Sequence, residues 1–205
     1  MLTAGARLGE SALVAILVHG RNAGPENILE LAARLERPGV TYLAPAAASR
    51  TWYPFSFMAS VASNEPYLSS ALSVLRGLVA EVENAGVSHD RIVLMGFSQG
   101  ACLATEFAIR HASRFAGVVA FSGGAIGEPG TVWDESRRFD GTPIFFGCSD
   151  VDAHVPAVRV RESAEVCARM GAEVTTRIYP GMGHLINDDE IEWAQQLFDR
   201  AGAVR

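Results

Sequence analysis

Residues 12–18 of this chain, Ala12-Leu13-Val14-Ala15-Ile16-Leu17-Val18, are apolar at every position. A half-buried strand alternates apolar and polar side chains, whereas a strand covered on both faces does not, so this run predicts an interior strand of a parallel sheet sandwiched between helices. Five further short runs repeat the theme at 40–44, 91–96, 116–121, 143–147 and 174–179, and helical patterns separate them at 26–37, 66–84, 99–111, 156–170 and 188–201. Strand and helix in alternation is the rhythm of βαβ units, and the expected architecture is a three-layer α/β/α sandwich. Pro66 and Pro156 suit first helical turns, while Gly86 and Gly171 follow the last periodic residues of two helices.

Two hundred and five residues with 49% hydrophobic and 20% charged side chains supply enough apolar material for one large core, so a single domain spanning 1–205 is expected and disorder is excluded as the main state. The formal charge is −6, from 17 Lys and Arg against 23 Asp and Glu, with no basic run. That balance argues against a nucleic-acid partner or an anionic membrane and points to a small-molecule substrate. The first apolar run is too short for a membrane span and lacks the basic flank of a secretion signal, which makes a cytoplasmic location the expectation. Cys102, Cys148 and Cys167 have neither disulfide-framework nor metal-site spacing, so buried free thiols are expected and neither metal nor cofactor is implied.

The chemistry sits in Gly96-Phe97-Ser98-Gln99-Gly100, a GxSxG pentapeptide. The motif is short enough to arise by chance, but here it directly follows a strand pattern and directly opens a helix pattern. A strand-to-helix turn of that kind exposes the serine hydroxyl at a helix head, where the Gln99 amide and the helix dipole point at a developing oxyanion. A serine needs a base, and the base an orienting carboxylate, which follow the nucleophile in the order acid, then histidine, in α/β-hydrolases. Of five histidines only His154 and His184 lie beyond the nucleophile helix. His184, in the loop after the last strand, is the expected base and His154 the reserve. Asp150 and Asp152 both follow the strand at 143–147, and residue chemistry alone does not choose between them. His19-Gly20-Arg21-Asn22 follows the first strand, where a loop amide, that of Arg21, would complete an oxyanion hole with Gln99. The stretch 45–65 has no periodicity and holds Trp52, Tyr53, Phe55, Phe57 and Met58, so it is expected to wall the substrate pocket, with Trp52 and Tyr53 as lining residues.

Taken together, His19-Gly20, the GxSxG pentapeptide, Asp152-Ala153-His154-Val155-Pro156 and Gly181-Met182-Gly183-His184 resemble the phospholipase/carboxylesterase family of α/β-hydrolases, which includes acyl-protein thioesterases and small bacterial carboxylesterases. The resemblance runs from about residue 12 to 198. It implies an α/β-hydrolase fold without a separate lid domain, a carboxylesterase or acyl thioesterase activity without cofactor, Asp152 as the acid through a D-x-x-V-P pattern, and the amides of Arg21 and Gln99 as the oxyanion hole. Arg21-Asn22 departs from the small or apolar residue and the acid that thioesterases carry after His-Gly, and Trp52-Tyr53-Pro54-Phe55 looks more like the bacterial esterase branch. A dienelactone-hydrolase-like enzyme is the rival activity, although it would favour cysteine at position 98. A non-catalytic ligand-binding protein of the same fold is the rival class, and a homodimer formed through an apolar face is also compatible with the sequence.

Overall fold

In a computed structural model, which describes residues 1–35 and 37–203, seven strands form one sheet: β1 (Leu2–Gly5), β2 (Leu13–Val18), β3 (Val40–Ala44), β4 (Ile92–Phe97), β5 (Gly117–Phe121), β6 (Pro143–Ser149) and β7 (Glu173–Tyr179). The spatial order is β1-β3-β2-β4-β5-β6-β7, parallel throughout except for β1, which runs antiparallel to β3 at one edge. The helices are α1 (Pro25–Arg34), α2 (Tyr67–Asn84), α3 (Gln99–Arg110), α4 (Ala157–Arg169) and α5 (Asp188–Ala203). This is the three-layer sandwich of the α/β-hydrolase fold. Among the described residues, no helix is long and apolar enough to cross a membrane.

The uninterrupted apolar run of β2 has the expected cause. Val14, Ile16 and Val18 face a core shared with α2, α3 and α4, while Leu13, Ala15 and Leu17 face a second core shared with α1 and α5. Both faces are therefore desolvated, and a polar residue at any of the six positions would lose its water. The two elements that depart from the sequence reading have local reasons. β1 carries no periodic signal, being four largely exposed residues that pair only with β3. Helix α1 stops at Arg34 with Leu35 as its cap, short of the expected residue 37: Pro38 has no N–H to donate to the Arg34 carbonyl, which accepts from the Gln195 side chain instead; Glu36 lies outside the described residues. All three cysteines are buried and unbridged, and burial pushes each thiol up to about 12. They are inert side chains of the core.

Parallel pairing from β2 to β7 puts the carboxyl ends of six strands on one edge. The loops that leave β2, β4, β6 and β7 carry His19-Gly20-Arg21, Ser98, Asp152 and His184. Open α/β sheets gather their ligand sites along that edge.

Candidate active site

Ser98 caps α3 immediately after β4, with φ 55° and ψ −122°. A positive φ is strained for a residue with a Cβ, and the neighbours hold it there. The Ser98 amide donates to the Phe121 carbonyl at 2.9 Å, and the two motif glycines allow close passage of three backbones. A Cβ on Gly96 would fall 2.5 Å from the Gly100 carbonyl, and one on Gly100 would fall 2.0 Å from the Val18 carbonyl oxygen. The motif therefore needs glycine on both sides for packing, and the serine between them is pushed out of the turn.

His184 Nε2 lies 2.9 Å from Ser98 Oγ, and His184 Nδ1 lies 2.7 Å from Asp152 Oδ2. The Phe97 ring leans on the imidazole with centroids 4.9 Å apart. The other oxygen of Asp152 accepts the amides of His154 and Val155 at 2.8 and 3.0 Å. Burial pushes the Asp152 carboxyl up, but the hydrogen bonds from His184 and the two amides outweigh it and hold the group below the usual carboxylate range. The carboxylate is thus ionised at neutral pH and aimed at Nδ1. The structure brings Ser98, His184 and Asp152 into one chain and leaves Asp150 outside it. Asp150 accepts the Gly181 amide at 2.8 Å, and Ser149 Oγ accepts the Gly183 amide at 3.0 Å, so both fasten the loop that presents His184. His154 stands edge-on to His184, 4.8 Å between centroids, with no bond to Ser98 among the described residues.

At the mouth of the turn, the first amide of α3, that of Gln99, has no acceptor within its helix. In the loop after β2 the amides of Asn22 and Ala23 are committed to the carbonyls of Arg50 and Gly20. Among the described residues neither the Arg21 amide nor the Gln99 amide donates to a protein acceptor, and both residues line the cleft that holds Ser98. The side chains of the same two residues, which sequence reasoning did not single out, grip the stretch 45–65. Arg21 donates to the carbonyls of Pro54 and Phe55 at 2.8 and 2.7 Å. Gln99 accepts from the Trp52 amide at 3.1 Å and donates to the Tyr53 carbonyl at 2.8 Å. No periodicity or motif marks such contacts, because they span 33 to 47 residues of sequence.

This stretch forms one wall of a cleft of about 490 Å³ with Ser98 and His184 in its lining, through Tyr53, Phe55 and Phe57. Trp52 differs from its expected place. It lies beneath the wall, 4% exposed, its indole N–H donated to the His19 carbonyl at 2.8 Å and its ring against the His19 imidazole. Tyr53 reaches the cleft at its edge but is itself buried, its hydroxyl against the Cys102 thiol. Replacing Trp52 by alanine is therefore expected to remove packing worth about 3–5 kcal/mol. Thermal unfolding should show a large drop in Tm, with esters of different acyl length slowed alike; a changed acyl preference at an unchanged Tm would return Trp52 to the pocket wall.

One buried acid borders the site. Asn187 and Glu190 form a reciprocal cap at the start of α5, each side chain accepting the other's amide at 2.9 Å, directly after the His184 loop. Glu190 is 0% exposed, its second oxygen packed against Gly147, and burial raises its carboxyl to about 7. A carboxyl whose native value exceeds its unfolded value of about 4.3 imposes no penalty below that pH. The penalty grows as pH rises towards 7 and is complete above it, reaching at most about 4 kcal/mol. Glu190→Gln keeps the oxygen that accepts the Asn187 amide, so its Tm should exceed that of the parent at pH 8 and match it near pH 4. The opposite order would show that the ionised carboxylate is needed to cap α5.

Comparison with known proteins identifies the family and the fold. Residues 11–200 match the family described as Phospholipase/Carboxylesterase. A solved phospholipase/carboxylesterase from Dyadobacter fermentans is 36% identical and superposes with a TM-score of 0.91 over 95% of this chain and 93% of that one. The carboxylesterase of Bacillus cereus, 18% identical with a TM-score of 0.78 over 98% and 93% of the two chains, shares the fold. Among curated proteins, acyl-protein thioesterase 1 of Gibberella zeae is 30% identical over 118 residues, 56% of this chain and 50% of the relative, and its namesake in Saccharomyces cerevisiae is 28% identical over 65% and 59%. The chain thus spans about half to three-fifths of the length of these curated relatives. With a match over nearly its whole length, the chain belongs to the phospholipase/carboxylesterase family of α/β-hydrolases.

Proposed function

We propose that this protein is a serine hydrolase that cleaves carboxylic esters of small or acyl-chain substrates through an acyl-enzyme. The observation that carries the reading is the hydrogen-bonded chain Ser98–His184–Asp152, of which Ser98 and His184 line the 490 Å³ cleft. His184 Nε2 takes the Ser98 proton as Oγ attacks the ester carbonyl, and the amides of Arg21 and Gln99 receive the negative charge that forms on the carbonyl oxygen. Asp152 keeps the proton on Nδ1, so that Nε2 is free to accept, and steadies the imidazolium once it forms. The tetrahedral adduct then expels the alcohol, protonated by His184. Water activated by the same histidine releases the acid and restores the serine.

Thioesters follow the same path with a thiolate as leaving group, and the thioesterase relatives in Gibberella zeae and Saccharomyces cerevisiae support including them. The aromatic wall of Tyr53, Phe55 and Phe57 favours an apolar acyl group in the cleft. The test combines turnover of a p-nitrophenyl ester with labelling by a fluorophosphonate. A single adduct on Ser98 that abolishes turnover is the expected result. Turnover that survives complete labelling of Ser98, or an absence of both turnover and labelling, would remove the reading.

A further inference from the structure

A second cleft, of about 400 Å³, opens on the other side of His184, between α1 and the segment that leads into α5. Its apolar walls are Ile28 and Leu31 of α1 and Leu185 and Ile186, Phe97 and His184 join them in the lining, and Asn27, Glu30 and Arg34 are its polar members on the α1 side. Ion pairing of Arg34 with Asp188 ties the two walls together at the rim, and Gln195 donates to the Arg34 carbonyl at 2.7 Å. The main cleft and this one share Gly20, Ala23, Phe97 and His184, but Ser98 and Gln99 line only the main cleft. The two are therefore separate lobes that meet at the imidazole.

Given the proposed ester hydrolysis, we infer that the second cleft binds the apolar substituent of the alcohol leaving group, while the acyl group occupies the lobe walled by Tyr53, Phe55 and Phe57. The collapse of the tetrahedral adduct fixes the direction. The bond between the carbonyl carbon and the alcohol oxygen breaks as His184 Nε2 gives its proton to that oxygen, so the oxygen must face the imidazole at that moment. Whatever the oxygen carries extends past His184, and past His184 lie Leu185, Ile186, Ile28 and Leu31. Leu185 is 47% exposed although it is a large aliphatic side chain in an ordered loop. An occupant with an alkyl or aryl chain would cover it and gain the free energy of removing that surface from water. The specificity that follows is for esters of apolar alcohols, read independently of acyl length.

Two substrate series separate the lobes: ethyl to hexyl acetate, which lengthens only the alcohol, and ethyl acetate to ethyl hexanoate, which lengthens only the acid. Leu185→Ala and Phe55→Ala are the paired variants, both at exposed positions where folding is not at stake. For the parent, kcat/KM should climb along the alcohol series by up to about fourfold per methylene. Leu185→Ala should lower the hexyl-to-ethyl acetate ratio by about threefold to tenfold and leave the hexanoate-to-acetate ratio unchanged, with Phe55→Ala doing the reverse. A flat alcohol series in a parent enzyme whose turnover depends on Ser98 would overturn the inference and leave the esterase reading standing. So would a Leu185→Ala effect confined to the acyl series. Failure to hydrolyse any member of either series would remove both.

Discussion

Ser98→Ala should reduce kcat on any ester by about a million-fold, to the level of background hydrolysis, with no more than a small change in Tm. The substitution deletes one oxygen atom. That oxygen is the only partner of His184 Nε2 among the described residues, and it lines the same cleft as Arg21 and Gln99. What is left has no nucleophile: the amides proposed to hold the oxyanion could favour attack by water but could not form the acyl-enzyme. The substituted alanine inherits the positive φ of the turn, so the backbone strain is the same in both proteins and stability should report little. His184→Ala should fall nearly as far, since the serine then has no base. His154→Ala is the internal control: its ring touches His184 edge-on but neither accepts from Ser98 nor replaces Nε2, so a modest change is expected. A Ser98→Ala enzyme with a tenth of the parental rate would leave the hydrogen-bonded chain without a chemical purpose.

The parts of this molecule that are legible in the sequence are those whose cause is local. A strand desolvated on both faces must be apolar at each position, so β2 announces itself, and so do the turn glycines Gly96 and Gly100, which no other residue can replace without collision. The exposed edge strand β1 buries little and carries no such mark. The same distinction holds in the site. Ser98 and His184 stand in short motifs at strand ends, whereas the grip of Arg21 and Gln99 on residues 52–55 joins distant segments and has no pattern to betray it. Trp52 departs from its expected place for a related reason. An aromatic residue in an aperiodic stretch reads equally as pocket wall or as anchor, and only the carbonyl of His19, 33 residues away, decides for anchor. The Asn187–Glu190 cap does leave a trace, because an Asn followed three residues later by Glu at a helix start is a local signature.

Asp152→Asn should lower kcat/KM by about ten-thousand-fold, and Asp150→Asn by about tenfold at most, although the two carboxylates are two residues apart. The reason lies in how Asp152 is held. Its Oδ1 already accepts two backbone amides, from His154 and Val155, and its Oδ2 faces His184 Nδ1. An asparagine in this place must keep its single carbonyl oxygen towards the two amides, since turning it round would set its NH2 group against both of their N–H groups. The NH2 group then points at His184 Nδ1 and can bond only to an unprotonated nitrogen. The imidazole is forced into the tautomer with its proton on Nε2, the nitrogen that has to accept the proton of Ser98. Geometry survives while the base is disabled, so crystals or solution spectra of the variant should show an unchanged fold and fluorophosphonate labelling should slow in step with turnover. Asp150 has a different task, since it takes one amide, that of Gly181, in the loop carrying His184. The side-chain oxygen of an asparagine at that position can accept the Gly181 amide as well as a carboxylate does, so little should change. Equal small losses at the two positions would mean that some other group sets the His184 tautomer, and a larger loss at Asp150 would transfer the acid role to it.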